Sequence, residues 1–286
     1  MAQVEIYRAR KGREVPHAAA EAAAAGGGYT IEIRFLGGLT DRQKAAFQHA
    51  AKRWTTAIVG DLPDVMVGGE RINNLRITAQ GTDIDGPGNI LGQAGPNRLR
   101  PANAGAAAFL PATGDMQFDT ADLAQMEQNG TLDDVITHEM GHVIGIGTVW
   151  TRKNLLKGAN TNNPTFVGPN AMREYGKLKN AAGPIPVPVE NMGGQGTANS
   201  HWREAVFNAE LMTGFVDIGG NPMSRMTVAS LQDLGYQVNL DAAQPYHLPD
   251  HLAIAEAGLA AAHAEQERGI VLPRIPITLP EEALAP

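Results

Sequence analysis

The sequence predicts an α+β fold, and three observations carry that prediction. The stretches YTIEIRF (29–35) and NNLRITAQ (73–80) alternate apolar and polar residues, as strands with one buried face do. Other segments repeat their apolar residues at helical spacing. Glycine (33) and proline (18) are plentiful, so long loops must join the elements. The expected architecture is a twisted mixed sheet with helices in an N-terminal subdomain, followed by a loop-rich C-terminal subdomain.

Taken in order, residues 1–28 read as a flexible lead, with an alanine-rich run and no evident strand. Order is expected from 29 onward. In LGGLTDRQ, Thr40 and Gln43 have the spacing of a capping box, and Phe47, Ala50, Trp54 and Ile58 follow on one helical face. AAAFLPATGDMQFD (106–119) reads as a third, long strand region bent near Pro111 and Gly114; a proline there suits an edge strand or bulge. Asp119 should cap a short helix through Met126. Thr131 should cap the next, which runs from Leu132 to Ile144, with Asp134 near its positive end. Residues 150–200 look loop-rich. A helical pattern returns at HWREAVFNAELM (201–212), and a last helix spans about Ser224–Leu234, ended by Gly235. Residues 241–286 read as a polar tail with one helix near Pro249–Gln266.

The expected units are therefore a lead (1–28), an N-terminal subdomain (29–148), a C-terminal subdomain (149–240) and a tail (241–286). A chain of 286 residues can bury a core of that size. The net charge of −7 argues against nucleic acid as the main partner. The absence of cysteine excludes disulfides, thiol catalysis and thiolate-bound zinc. No signal peptide and no apolar run of membrane-spanning length is visible, so a soluble protein is expected. Oligomeric state is not legible.

The chemistry concentrates in HEMGH (138–142). On a helix, His138 and His142 lie on one face a turn apart and can both direct an imidazole nitrogen at one ion. Glu139, beside the first ligand, can reach a water on that ion and act as general base for peptide hydrolysis. The motif sits in an apolar helix, where idle charges would be costly. Two histidines do not complete a catalytic zinc site. In many zinc peptidases a third histidine follows the glycine at this turn by three residues; here Gly145 is present but the slot holds Thr148. Of the eight histidines, His201 is the remaining candidate, with the carboxylates of Glu174, Glu190 or Glu204 as rivals.

HEMGHVIGIG, a long insert, and then HWREAVFNAELMTG together resemble the leishmanolysin family of metzincin zinc peptidases (peptidase family M8). In that family an insertion displaces the third histidine far downstream, where it begins a His-Trp segment followed by Glu-Leu-Met. The resemblance implies a metzincin-type zincin fold, one catalytic Zn²⁺ on His138, His142 and His201, Glu139 as general base, and Met212 as the methionine of the turn beneath the metal. It extends over roughly 105–240, and MTVASLQDLGYQ (226–237) resembles the family's closing helix. Eukaryotic members are cysteine-rich and lipid-anchored; this chain has no cysteine and is expected to carry no lipid anchor, and it looks like a bacterial relative. Secretion is implied only by analogy.

The expected activity is zinc-dependent endopeptidase action on protein or peptide substrates, with residues 106–118 as the candidate sheet edge for an extended substrate. Alternatives are a zinc peptidase of another clan with Glu174 or Glu190 as third ligand, or a catalytically silent zinc-binding or adhesion module. Separately, Asp83, Asp85 and Asn89 in GTDIDGPGNILGQAG could offer oxygens to Ca²⁺, against a plainer reading as a turn-rich loop.

Overall fold

The structure is a computed structural model that describes residues 4–15, 27–88, 91–194, 196–217, 219–250 and 275–285. Its centre is a seven-stranded mixed sheet. The strands are β1 (Glu5–Arg10), β2 (Arg13–Glu14), β3 (Thr30–Phe35), β6 (Leu75–Thr82), β7 (Gly92–Leu99), β8 (Pro111–Asp119) and β12 (Ile277–Thr278). They run in the order β12-β7-β8-β6-β3-β1-β2. β3, β6 and β8 are parallel, while β1 and β7 run antiparallel to their neighbours β3 and β8. A separate hairpin pairs β4 (Val65–Val67) with β5 (Glu70–Ile72). The α+β expectation is met.

Part of the expected lead is sheet. β1 pairs with the full length of β3, from Glu5↔Phe35 to Arg10↔Thr30. Tyr7 and Ala9 face the core. Glu5, Arg8 and Arg10 hid the strand from a composition argument, yet Arg8 is satisfied across the sheet. Arg8 and Arg76 both pair with the buried Glu32, at 2.6 and 2.7 Å, and Arg34 joins them at 2.9 Å.

Helix α1 (Asp41–Ala57) begins at Thr40 in the expected capping box, with both reciprocal bonds formed. Phe47, Ala50 and Trp54 are buried against the sheet, and Ile58 closes the helix in extended geometry. The reading of 106–119 as one bent strand needs correction. Residues 105–107 form a short 3-10 turn, and β8 starts at Pro111, where a missing N–H is tolerated. β8 is interior, flanked by β6 and β7, so 106–118 is not a sheet edge. The unforeseen β7, GQAGPNRL, lacks the β-branched and aromatic residues that advertise a strand, and pairs with β8 through a register shift near Arg98.

After α2 (Thr120–Asn129) and α3 (Leu132–Ile144), residues 150–200 are more ordered than expected. They hold α4 (Pro169–Leu178) and a small sheet of β9 (Leu156–Lys157), β10 (Thr165–Phe166) and β11 (Val187–Pro188). Conversely, the helical pattern at 201–212 yields only α5 (Glu204–Phe207), which breaks at Asn208 with φ +48°. α6 (Arg225–Leu234) is capped by Ser224, ends at left-handed Gly235, and packs against α4.

The end of the tail returns to the body. β12 pairs with β7 at Arg98 and Leu99, and Leu284 bridges Val65. Residues 251–266 of the expected tail helix lie outside the described residues. No described helix is long and apolar enough to cross a membrane.

Candidate metal centre

Helix α3 carries its chemistry inside the core. Ile136, Met140, Val143 and Ile144 are fully buried, and His138, Glu139 and His142 are nearly so. The helix is tied to α1 by Trp54 Nε1, which donates to Thr137 O at 2.9 Å. Thr131 does not act as the expected side-chain cap: it has helical φ and ψ and makes no capping bond. The first turn is steadied by Asp134, which accepts from Asn221 and pairs with Arg53.

At the C-terminus the chain turns away at Gly145 (φ +126°). The last carbonyls are then taken by named donors. Thr148 Oγ1 donates to His142 O at 2.8 Å, and the buried Tyr236 hydroxyl donates to Ile144 O at 2.7 Å. Thr148, in the slot where a third histidine stands elsewhere, is thus a helix-capping residue. Tyr236 is committed to structure. Gly147 has φ +75°, and a Cβ there would lie 2.1 Å from Ser200 O. Its lack of a side chain lets the backbone just before His201 come into contact.

That contact brings three imidazoles together. The His138 and His142 Nε2 atoms lie 3.0 Å apart, and those of His142 and His201 2.9 Å apart. His138 and His201 Nε2 are 3.1 Å apart. Each Nδ1 faces a backbone carbonyl: Leu211 O at 2.6 Å from His138, Ile146 O at 2.9 Å from His142, and Thr197 O at 3.0 Å from His201. A carbonyl only accepts, so each Nδ1 carries the hydrogen and each neutral ring presents a lone pair at Nε2. Burial first, and then the neighbouring imidazole, pull all three pKa values down to about 3. Three lone pairs therefore converge with no proton to share.

This donor set fits a zinc ion. Tetrahedral zinc–nitrogen bonds of about 2.0–2.1 Å separate their nitrogens by roughly 3.3 Å, within a few tenths of the observed spacing. The carbonyl acceptors behind each ring are the partners that fix tautomer and orientation in histidine metal sites. Among the described residues, His138, His142 and His201 are the one group of three metal-competent side chains whose ligand atoms lie within 4.8 Å of one another. Glu139 Oε1 approaches His138 Nε2 at 3.7 Å, while its buried Oε2 has no hydrogen-bond partner. Burial pushes this carboxyl well above the usual range.

Met212 is fully buried beneath the helix. A Cβ on Gly141 would fall 2.8 Å from Met212 Sδ and 2.9 Å from Trp54 Cζ2, so the glycine in the middle of the motif makes room for both. Sequence reasoning passed over Gly141, although glycine in a helix interior is itself a signal of close approach.

The rival carboxylates are engaged elsewhere. Glu174 pairs with Lys177 at 2.7 Å and Arg225 at 3.6 Å. Glu190 accepts from the backbone N–H groups of Asn191, Met192 and Glu204. Glu204 is outside the cluster of three. In the acidic loop, the backbone N–H groups of Ile84, Asp85 and Gly86 converge on Asp119 Oδ2, and Asp83 accepts from Thr120 Oγ1. The loop thus closes on an internal carboxylate through donors, and neither Asp83 nor Asp85 joins a metal-competent group of three. Asn89 lies outside the described residues.

Residues 107–249 match the family model for leishmanolysin, peptidase M8. A 61-residue segment is 43% identical to a leishmanolysin-like peptidase of Caenorhabditis briggsae, and equally to one of Caenorhabditis elegans. That segment is 21% of this chain and only 9% of each relative's length.

Proposed function

The chain belongs to the leishmanolysin family, half of its length being matched by the family model, and on that premise we propose that it is a zinc-dependent endopeptidase. The observation that carries the reading is the meeting of three imidazole Nε2 atoms beside a buried carboxylate with an unpartnered oxygen. His138, His142 and His201 would hold the ion. When bound, zinc supplies Lewis acidity, which acidifies a water and polarises a peptide carbonyl.

Glu139 is the group that moves the proton. Its Oε2 is free to take a proton from the attacking water and return it to the leaving nitrogen. Its burial keeps the carboxyl basic enough to hold that proton. Met212 supports the helix from below through the gap at Gly141. An extended peptide would lie along β7 rather than along 106–118. β12 covers β7 only at Arg98 and Leu99, which leaves Gly92–Asn97 with no described strand on that side. Two subdomains, 29–148 and 149–240, would flank the substrate.

The test is metal analysis of the purified protein combined with casein or gelatin hydrolysis, with and without a chelator. Stoichiometric zinc and chelator-sensitive cleavage are expected. Bound zinc with no cleavage of any unfolded protein, unchanged in Glu139→Gln, would instead support the silent-module reading.

A further inference from the structure

Glu210 is fully buried, and no described Lys, Arg or His pairs with it. A bare carboxylate in such a place is costly unless its oxygens are well satisfied. Here they accept four bonds. Oε2 accepts from Met212 N at 2.7 Å. Oε1 accepts from Ser224 N at 3.0 Å, Ser224 Oγ at 2.7 Å and Thr227 Oγ1 at 2.5 Å. Ser224 is the N-cap of α6, so the negative charge also lies at the positive end of a ten-residue helix.

The result is a rigid strut between α6 and the turn 210–213, whose free carbonyls are spent on the metal centre. Leu211 O accepts from His138 Nδ1 at 2.6 Å. Met212 O accepts from Trp202 N, the residue after His201, at 2.9 Å. Trp202 Nε1 in turn donates to Thr227 Oγ1 at 2.8 Å, which closes the network on Glu210. A glutamine could not replace this carboxylate without turning an amide donor toward another donor.

We propose that Glu210 is a positioning residue of the metal centre: it fixes the turn that aims the Leu211 carbonyl at His138 and seats Met212 under α3. The proposal rests on the zinc reading above and extends it to a residue that touches neither metal nor substrate.

The experiment compares the unmodified protein with Glu210→Gln, Thr227→Val and, as a control in the distant sheet core, Phe35→Leu. Zinc affinity is measured by chelator competition, stability by thermal unfolding of the metal-free protein, and ligand geometry by the visible spectrum of the cobalt-substituted form. Glu210→Gln is expected to weaken zinc binding about 10–100-fold and to alter the cobalt spectrum, with a smaller loss in Thr227→Val. Phe35→Leu should lower the unfolding temperature and leave both metal readouts unchanged. Unchanged zinc affinity in Glu210→Gln, or an equal weakening in Phe35→Leu at the same loss of stability, overturns the proposal. If Glu210→Gln does not fold, Thr227→Val decides by the same criteria. An unmodified protein that binds no zinc removes the metal reading first, and this inference with it.

Discussion

Helix α3 and the return segment 197–213 meet at one point but are held there by different means. In α3 the backbone is its own scaffold: i,i+4 spacing aligns His138 and His142, and apolar neighbours seat the helix in the core. The return segment has little regular structure. Its place depends on backbone contact at Gly147, on the pairing of Glu190 N with His201 O at 2.9 Å, and on the carboxylates of Glu190 and Glu210, which gather N–H groups from the loops around them. A helix places ligands through local geometry; a loop needs long-range contacts to reach the same precision. The same site should therefore be robust on one side and sensitive on the other.

The sharpest test of that contrast separates the two functions of the site. Glu139→Gln should keep zinc but lose roughly 10²–10⁴-fold in hydrolysis rate, as expected when a general base is removed. His201→Ala should lose stoichiometric zinc as fully as His138→Ala does. Full zinc occupancy in His201→Ala would exclude the return segment from the centre altogether.

Gly147→Ala comes next. It forces a side chain onto φ +75° and into Ser200 O, so a loss of about 3 kcal/mol or more is expected in denaturant unfolding of the metal-free protein. A variant as stable as the parent would show that the return segment does not depend on this contact. Gly141→Ala probes the helix side. In an isolated helix the change would stabilise by about 1 kcal/mol. Against Met212 and Trp54 it should instead destabilise by about 1–3 kcal/mol, and a gain in unfolding temperature would refute the packing argument.

Acidification tests both sides together. In the metal-free protein the three imidazoles are held down to about 3, below their value of about 6.5 in the unfolded chain. Between those limits the unfolded state binds more protons. The stability they contribute is complete above about pH 6.5 and is lost toward pH 3, at about 1.4 kcal/mol per pH unit for each proton. Glu139 opposes this, because its raised folded pKa gives a contribution that is present below about 4.5 and lost as pH rises. Glu139→Gln should therefore steepen the rise of unfolding temperature from pH 4.5 to 6.5. An unchanged slope would mean that Glu139 is not held protonated. The smallest effect is expected from Thr148→Val, which removes one hydroxyl from His142 O and should cost about 0.5–1.5 kcal/mol in the same unfolding assay.

How much was legible follows the same division. The capping box at Thr40, the core face of α1, the limits of α3 and the glycine stops are short-range features, and the chain states them directly. β7 was missed because glycine, proline and asparagine carry no strand signal; pairing with β8 makes it one. β1 was missed because Glu5, Arg8 and Arg10 read as solvated charges, whereas Arg8 pairs with Glu32 of β3 and Glu5 with Lys44 of α1. The apparent helix at 201–212 failed because its backbone groups are drawn into bonds with Pro188, Pro222 and Glu190.

By itself the sequence determined the pair of imidazoles, the carboxylate between them and the glycine that ends their helix, since one helical turn fixes their relation. The third imidazole it could only nominate against Glu174, Glu190 and Glu204. Tertiary structure brought His201 rather than those carboxylates to the pair, because a side chain fifty-nine residues downstream of His142 is located by what the intervening chain packs against and not by its spacing. The contact at Gly147 and the buried strut at Glu210 are long-range interactions of this kind, and no local pattern encodes where they end.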